Sequence, residues 1–208
     1  MSKNFFQRIA SSILIAPPTI YLIYLGGNYF KVLILIIFFI SLYEILKLKI
    51  LKTKFLVFII LVYFTFSCLE IISVTNGKNY LFFILLIAFL SDTGGYLFGK
   101  TFGGKKINII SQNKTYFGFF GSLFLSQSAI IFLIYFKIFF FKNLIFNSIL
   151  ILFSSLIVIV GDLFFSYIKR KNNIKDYSNL FVGHGGLLDR IDGLIFLTIF
   201  YNLLIKLL

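Results

Sequence analysis

Only seven acidic residues, Glu44, Glu70, Asp92, Asp162, Asp176, Asp189 and Asp192, stand in a chain that carries 20 Lys and Arg. Several of them sit where a carboxylate is hard to keep. Asp92 lies inside an apolar run, where an isolated carboxylate costs roughly 3 kcal/mol, so it should face a cavity or a partner. Asp162 closes another apolar run, and on a helix Asp162, Ser166 and Lys169 fall at i, i+4 and i+7, one above the other. Gly161 beside it allows a close approach to the backbone. Asp189 and Asp192, three residues apart, share one face of the first turn of the next apolar run. The helix dipole favours one carboxylate there. Two on one face, with Asp162 at the mouth of the preceding run, are better explained by a cation. The plainer alternatives are a small-residue helix contact at Gly95 and Gly99, on the face of Asp92, and an Asp162–Lys169 relay at a basic helix end. Glu44 and Glu70 lie near the ends of apolar runs, where a carboxylate is expected to reach the membrane interface.

Hard divalent cations such as Mg²⁺ take oxygen ligands and usually keep substrate phosphate among them. The acids cluster in sequence with Lys169, Arg170, Lys171, Lys175 and Arg190 and with the glycine-rich turn Gly183–Gly186. Carboxylates for a metal, cations for phosphate and glycines for close backbone approach are the parts of a phosphoryl or nucleotidyl transfer site. The single histidine, His184, has two readings in that turn, a phosphate contact or a support for the loop. No Ser or Cys is indicated as its partner for nucleophilic catalysis.

The rest of the chain must position these groups in lipid. It is 60% hydrophobic and 13% charged, about half the charged share of a soluble domain, with a mean hydropathy of +1.00. Apolar stretches predict an all-α, polytopic membrane protein with about seven spans, roughly 9–26, 30–47, 55–75, 79–99, 117–140, 143–168 and 187–207. The basic then apolar N-terminus lacks a small-residue cleavage site and reads as a first membrane helix, kinked by Pro17 and Pro18. Cys68 is the only cysteine and cannot form an internal disulfide. The net charge of +13 does not indicate nucleic acid. With the N-terminus cytoplasmic, 15 of the 20 Lys and Arg fall on the cytoplasmic side, the positive-inside bias. The surplus in loops 100–116 and 169–186 suits anionic headgroups or phosphates.

The order Ser166-Tyr-Ile-Lys169-Arg170, Lys175-Asp176, Gly183-His184-Gly185-Gly186, Asp189-Arg190-Ile-Asp192 resembles the C-terminal signature of the phosphatidate cytidylyltransferases. Ser91-Asp92-Thr93-Gly94-Gly95-Tyr96 with Gly99-Lys100, and the segment SQNKTYFG from Ser111 to Gly118, are similar to the same family. The resemblance implies transfer of CMP from CTP to phosphatidate in a membrane enzyme needing Mg²⁺, with a monovalent cation beside it. It implies Asp162 and Asp189 as the metal pair with Asp192 close by, and Lys169 and Arg190 with them as catalytic groups. It further implies that Asp92, Ser111, Lys114, Thr115, Ser166, Arg170, Lys175, Asp176, His184, Gly185 and Gly186 bind substrate. Residues 79–208 would then be the catalytic helices, and 1–78 an N-terminal membrane part shorter than the family's. The implied setting is a bacterial inner membrane with the site facing the cytoplasm, membrane lipids as surroundings and room for a homodimer. Two features depart from the pattern: Gln112 and Asn113 replace a Pro-Lys pair, and Phe117 stands where the family has Glu. Alternative readings are a CTP-dependent lipid kinase, a cytidylyltransferase for another lipid phosphate, and an ion-coupled transporter, for which Asp92 and Asp162 would form an ion path.

Overall fold

A computed structural model describes residues 17–105, 115–178, 180 and 185–207, and among them the chain is helical with no strand element. Residues 17–25 form α1, and Pro17 and Pro18 open its described part; the rest of the first expected span lies outside the described residues. There follow α2 (Gly27–Leu46), α3 (Leu51–Ser73) and α4 (Gly77–Phe102). Next come α5 (Tyr116–Ser126) and α6 (Ile130–Phe136), joined by a 3-10 turn at Gln127–Ala129, then α7 (Leu144–Lys171) and α8 (Leu188–Leu207). The hydroxyls of Ser126 and Ser128 bond back to the carbonyls of Leu123 and Leu125 at 2.9 and 2.7 Å, a competition with the backbone ladder that accompanies the tightened turn.

Five of the described helices are long and apolar enough to cross a membrane: Gly27–Leu46, Leu51–Ser73, Gly77–Phe102, Tyr116–Phe136 and Leu144–Lys171. The expectation of seven spans is met only in this coarser form. The final helix is apolar through most of its length but carries Asp189, Arg190 and Asp192 at its start and Lys206 near its end. The outer surface is what lipid selects. Phe39, Phe55 and Tyr135 are 63%, 66% and 78% exposed, in a protein whose large exposed apolar surface no water-soluble monomer would tolerate.

Inside, helices are joined by small residues and hydrogen bonds, as expected where lipid removes the hydrophobic drive between helices. α8 packs on α3, α4 and α7. The buried hydroxyls of Ser91 (α4) and Ser155 (α7) lie 2.9 Å apart, and Ser154 (α7) meets Tyr201 (α8) at 2.8 Å. Near the other end of α8, Asn202 and Lys206 each reach Glu70 of α3 at 2.6 Å. The sequence contact expected at Gly95 and Gly99 exists. A side chain at Gly94 would strike the carbonyl of Gly121, and one at Gly95 would meet Ser122, so α4 and α5 touch backbone to backbone.

The chain ends that matter for chemistry gather on one face of the bundle. Asn172, buried after the last turn of α7, accepts from the amides of Lys49 and Ile50 at 3.1 and 3.0 Å and donates to Thr53 at 3.0 Å. The α2–α3 connection is thereby tied to the end of α7, on the side where α8 begins.

Candidate functional site

Two glycines bring α7 and α8 together. A Cβ on Gly161 would lie 3.0 Å from the Asp192 carbonyl oxygen and 3.0 Å from the Gly193 Cα. A Cβ on Gly193 would lie 2.7 Å from a methyl of Val158 and 3.3 Å from Asp162 Oδ1. Each glycine adjoins an aspartate, so the backbone contact places Asp162 and Asp192 side by side, and their carboxyl groups share a hydrogen bond. Asp92 of α4 lies within electrostatic reach of the same pair. Carboxyl groups gathered in this way are placed to share a cation. Valine at position 161 is expected to force the two helices apart and lower the thermal unfolding midpoint in detergent by about 5 °C or more. An unchanged midpoint would mean that the α7–α8 contact is not tight.

Asp189 has a different set of partners. Lys169 holds its Oδ1 at 2.6 Å, the side chains being 15% and 5% exposed, while Oδ2 accepts from the amides of Tyr177 and Gly186, both at 2.9 Å. Its carboxylate therefore ties the loop after α7 to the base of α8. The plainer alternative of an Asp162–Lys169 relay is not what the fold forms, since Lys169 pairs with Asp189. Burial, with Asp189, Asp192 and Glu44 around it, pushes the Tyr177 phenol above its usual range, and the neutral hydroxyl donates to the Phe165 carbonyl at 3.4 Å.

Glu44 corrects the sequence reading most sharply. Expected at the interface, it is completely buried. Ser178 donates to Oε1 at 2.6 Å, and the amides of Leu187 and Leu188 donate to Oε1 and Oε2, both at 2.8 Å. A carboxylate from α2 thus caps the N-terminus of α8, where unpaired amides and the helix dipole favour negative charge. Gly186 has no side chain because Glu44 fills that space, a Cβ there falling within 2.8 Å of the Glu44 carboxyl carbon. Gly185 has φ +78° and rests against Asp176 and Asp189.

The remaining expected residues fall in four groups. Ser166, Arg170 and Lys175, with Lys169, line an open polar cavity of about 520 Å³ at the end of α7. Arg190 and Asp92 instead stand in the wall of a second, mainly apolar cavity of about 470 Å³ between α1, α2, α3, α4 and α8. Thr115 caps α5, its hydroxyl accepting from the Gly118 amide at 3.1 Å, and Asp176 is exposed on the loop. Ser111, Lys114 and His184 lie outside the described residues. Phe117, in the place of the family's acid, is half exposed and stacks on Phe102 with ring centroids 5.9 Å apart.

The donor set can be tested against a divalent cation. Asp162 and Asp192 are adjacent hard-oxygen ligands whose repulsion a cation would relieve. Among the described residues no three His, Cys, Asp or Glu side chains are grouped to hold an ion. Other ligands would have to be water or substrate oxygens, as Mg²⁺ commonly takes. The pair fits such an ion, while the oxygens of Asp189 are already engaged by Lys169 and two amides.

Comparison with known proteins shows the family. The family model described as the cytidylyltransferase family matches residues 49–208. A protein named phosphatidate cytidylyltransferase from Staphylococcus aureus (strain COL) is 39% identical over 132 residues, covering 63% of this chain and 50% of its own. Proteins of the same name from Staphylococcus haemolyticus (strain JCSC1435) and Staphylococcus epidermidis (strain ATCC 35984) are 37% and 36% identical over 136 residues, with the same coverage. The chain spans about half the length of the curated relatives it matches.

Proposed function

Since the chain belongs to the cytidylyltransferase family, we propose that it transfers CMP from CTP to phosphatidate, giving CDP-diacylglycerol and pyrophosphate. One observation carries the reading: the Asp162–Asp192 pair shares α7 and α8 with a cation-lined polar cavity and an apolar one. A water-soluble nucleotide and a membrane lipid need entries of those two kinds. In the reaction an oxygen of the phosphatidate phosphate attacks the α-phosphorus of CTP. A new P–O bond forms, the bond to the β-phosphate oxygen breaks, and pyrophosphate leaves with the electron pair. Phosphatidate is already an anion, so no strong general base is required. Lys169, Arg170 and Lys175 line the polar cavity, where they would neutralise triphosphate charge, with Lys169 oriented by Asp189. Asp162 and Asp192 would hold a divalent cation, whose chemistry is to offset negative charge on the phosphate oxygens.

The test is purified protein with phosphatidate and Mg²⁺, supplied with CTP labelled in the α-phosphate or with labelled ATP. A labelled liponucleotide from CTP is the expected product. Transfer of the γ-phosphate alone would make the protein a kinase, and absence of nucleotide turnover would favour transport.

The same reading includes seven spans, a cytoplasmic N-terminus, a bacterial inner membrane and a site open to the cytoplasm. With Cys68 replaced by Ala, single cysteines at Lys100 and at Lys175 are expected to react with a membrane-impermeant maleimide from the cytoplasmic side only, because the charge bias puts both there. Labelling from opposite sides would split the proposed site. The reading also includes a homodimer, which light scattering of the detergent-purified protein checks.

A further inference from the structure

We propose that the apolar cavity seats one acyl chain of the lipid substrate and that its far end limits the length accepted; this rests on the lipid-phosphate reading above. The cavity runs along α4 from Leu81 to Asp92 and from Leu187 along α8 to Thr198. The eleven helical steps from Leu81 to Asp92, at about 1.5 Å each, span roughly 16 Å, half of a hydrocarbon core of about 30 Å. That is the depth of a single leaflet. At one end stand Asp92 and Arg190, and Asp92 is in electrostatic reach of Asp192, so this end adjoins the carboxylate pair. The other end is mainly apolar, with Phe30, Phe64, Cys68 and Leu81 buried and the Thr198 hydroxyl engaged by the Leu194 carbonyl at 2.8 Å.

These features select the occupant. The volume, about 470 Å³, is roughly three times that of a cavity that takes up benzene, which suits one chain and not two. An α-helix, about 10 Å across with its side chains, is too wide. Arg190 at the polar end offers a guanidinium to an anionic phosphate, and the apolar lining would leave a polar ligand without hydrogen bonds. The tail would move from one apolar solvent to another, so the cavity supplies no hydrophobic drive. What it supplies is shape. A chain longer than the cavity must fold back or displace side chains that are already close-packed, and such overpacking is costly.

Two measurements test this. Wild-type protein and Cys68→Phe, which fills the far end, are assayed on phosphatidates with octanoyl or hexadecanoyl chains at equal mole fraction in detergent. The ratio of hexadecanoyl to octanoyl turnover is expected to fall at least about tenfold in the variant. Separately, wild-type protein is irradiated with phosphatidate bearing a diazirine at the chain terminus, and adducts are expected in the 64–68 and 81–88 segments. This second measurement stands even if the variant fails to fold. An unchanged ratio with a folded variant, or adducts confined to other segments, overturns the acyl-chain assignment while leaving the transferase reading in place. Wild-type protein that converts neither lipid overturns that reading, and this proposal with it.

Discussion

Asn in place of Asp162 is expected to lower CMP transfer at least about a hundredfold, the scale lost with one charge-stabilising group in a dry site. The amide keeps the shape and can still hydrogen-bond to Asp192, but one of the two adjacent negative charges is gone. The unfolding midpoint should change little, because the amide can donate to Asp192 and so keeps the hydrogen bond that the two carboxyl groups share. Asp189→Asn separates the two roles. It keeps a carbonyl for the Tyr177 and Gly186 amides but leaves Lys169, whose side chain is 15% exposed, without its counter-charge, at a cost of about 3 kcal/mol. Turnover should fall there too, with a lower midpoint and the same Mg²⁺ dependence, whereas Asp162→Asn should raise the Mg²⁺ concentration needed for its residual activity. Retention of more than about a tenth of wild-type turnover by Asp162→Asn would remove that residue from the cation site. A raised Mg²⁺ requirement in Asp189→Asn would return Asp189 to it.

The second large effect is expected far from the motif-bearing half. Glu44→Leu strands the Ser178 hydroxyl and the amides of Leu187 and Leu188 without an acceptor in a buried setting. Each stranded donor costs about 1–3 kcal/mol, and the costs overlap because the three share one carboxylate. A net loss of about 3 kcal/mol should lower the unfolding midpoint by roughly 10 °C and reduce turnover with it, since α8 carries both Asp189 and Asp192. Glu44→Gln retains one oxygen and should recover part of both. Thermal unfolding in detergent beside the CTP assay decides it; a wild-type midpoint for Glu44→Leu would mean that the cap contributes nothing. Glu44 lies before the stretch matched by the family model, which begins at residue 49, so the N-terminal helices would then support the site as well as anchor it.

The contrast between Glu44 and Asp162 shows where sequence reasoning succeeds. Asp162 was legible because its position is locally costly: a carboxylate closing an apolar helix beside glycine, four and seven residues before Ser166 and Lys169, needs a reason that periodicity alone exposes. The five spans predicted from 30–47 through 143–168 were legible on similar grounds. Each apolar stretch satisfies its own backbone in lipid, so helix formation is settled segment by segment. Glu44 carried no such signal. It sits three residues before Lys47 and looks like an interface group, yet its acceptor role depends on amides 143 and 144 residues away. The partner of Lys169 was not legible for the same reason, since i, i+7 spacing on α7 offers Asp162 while the fold delivers Asp189 from α8.

What could be read along the chain was that it is helical and apolar outside, which acids are costly in lipid, and that cations and glycines cluster in the C-terminal third. Those properties follow from local transfer free energies and helix periodicity. Only the tertiary structure decided that Asp162 pairs with Asp192, that Asp189 holds Lys169 and the loop, and that Glu44 caps α8. Between helices in lipid, every apolar face is nearly equivalent. Register is set by where glycines let backbones touch, as Gly161 and Gly193 do, and by which buried donor finds which acceptor.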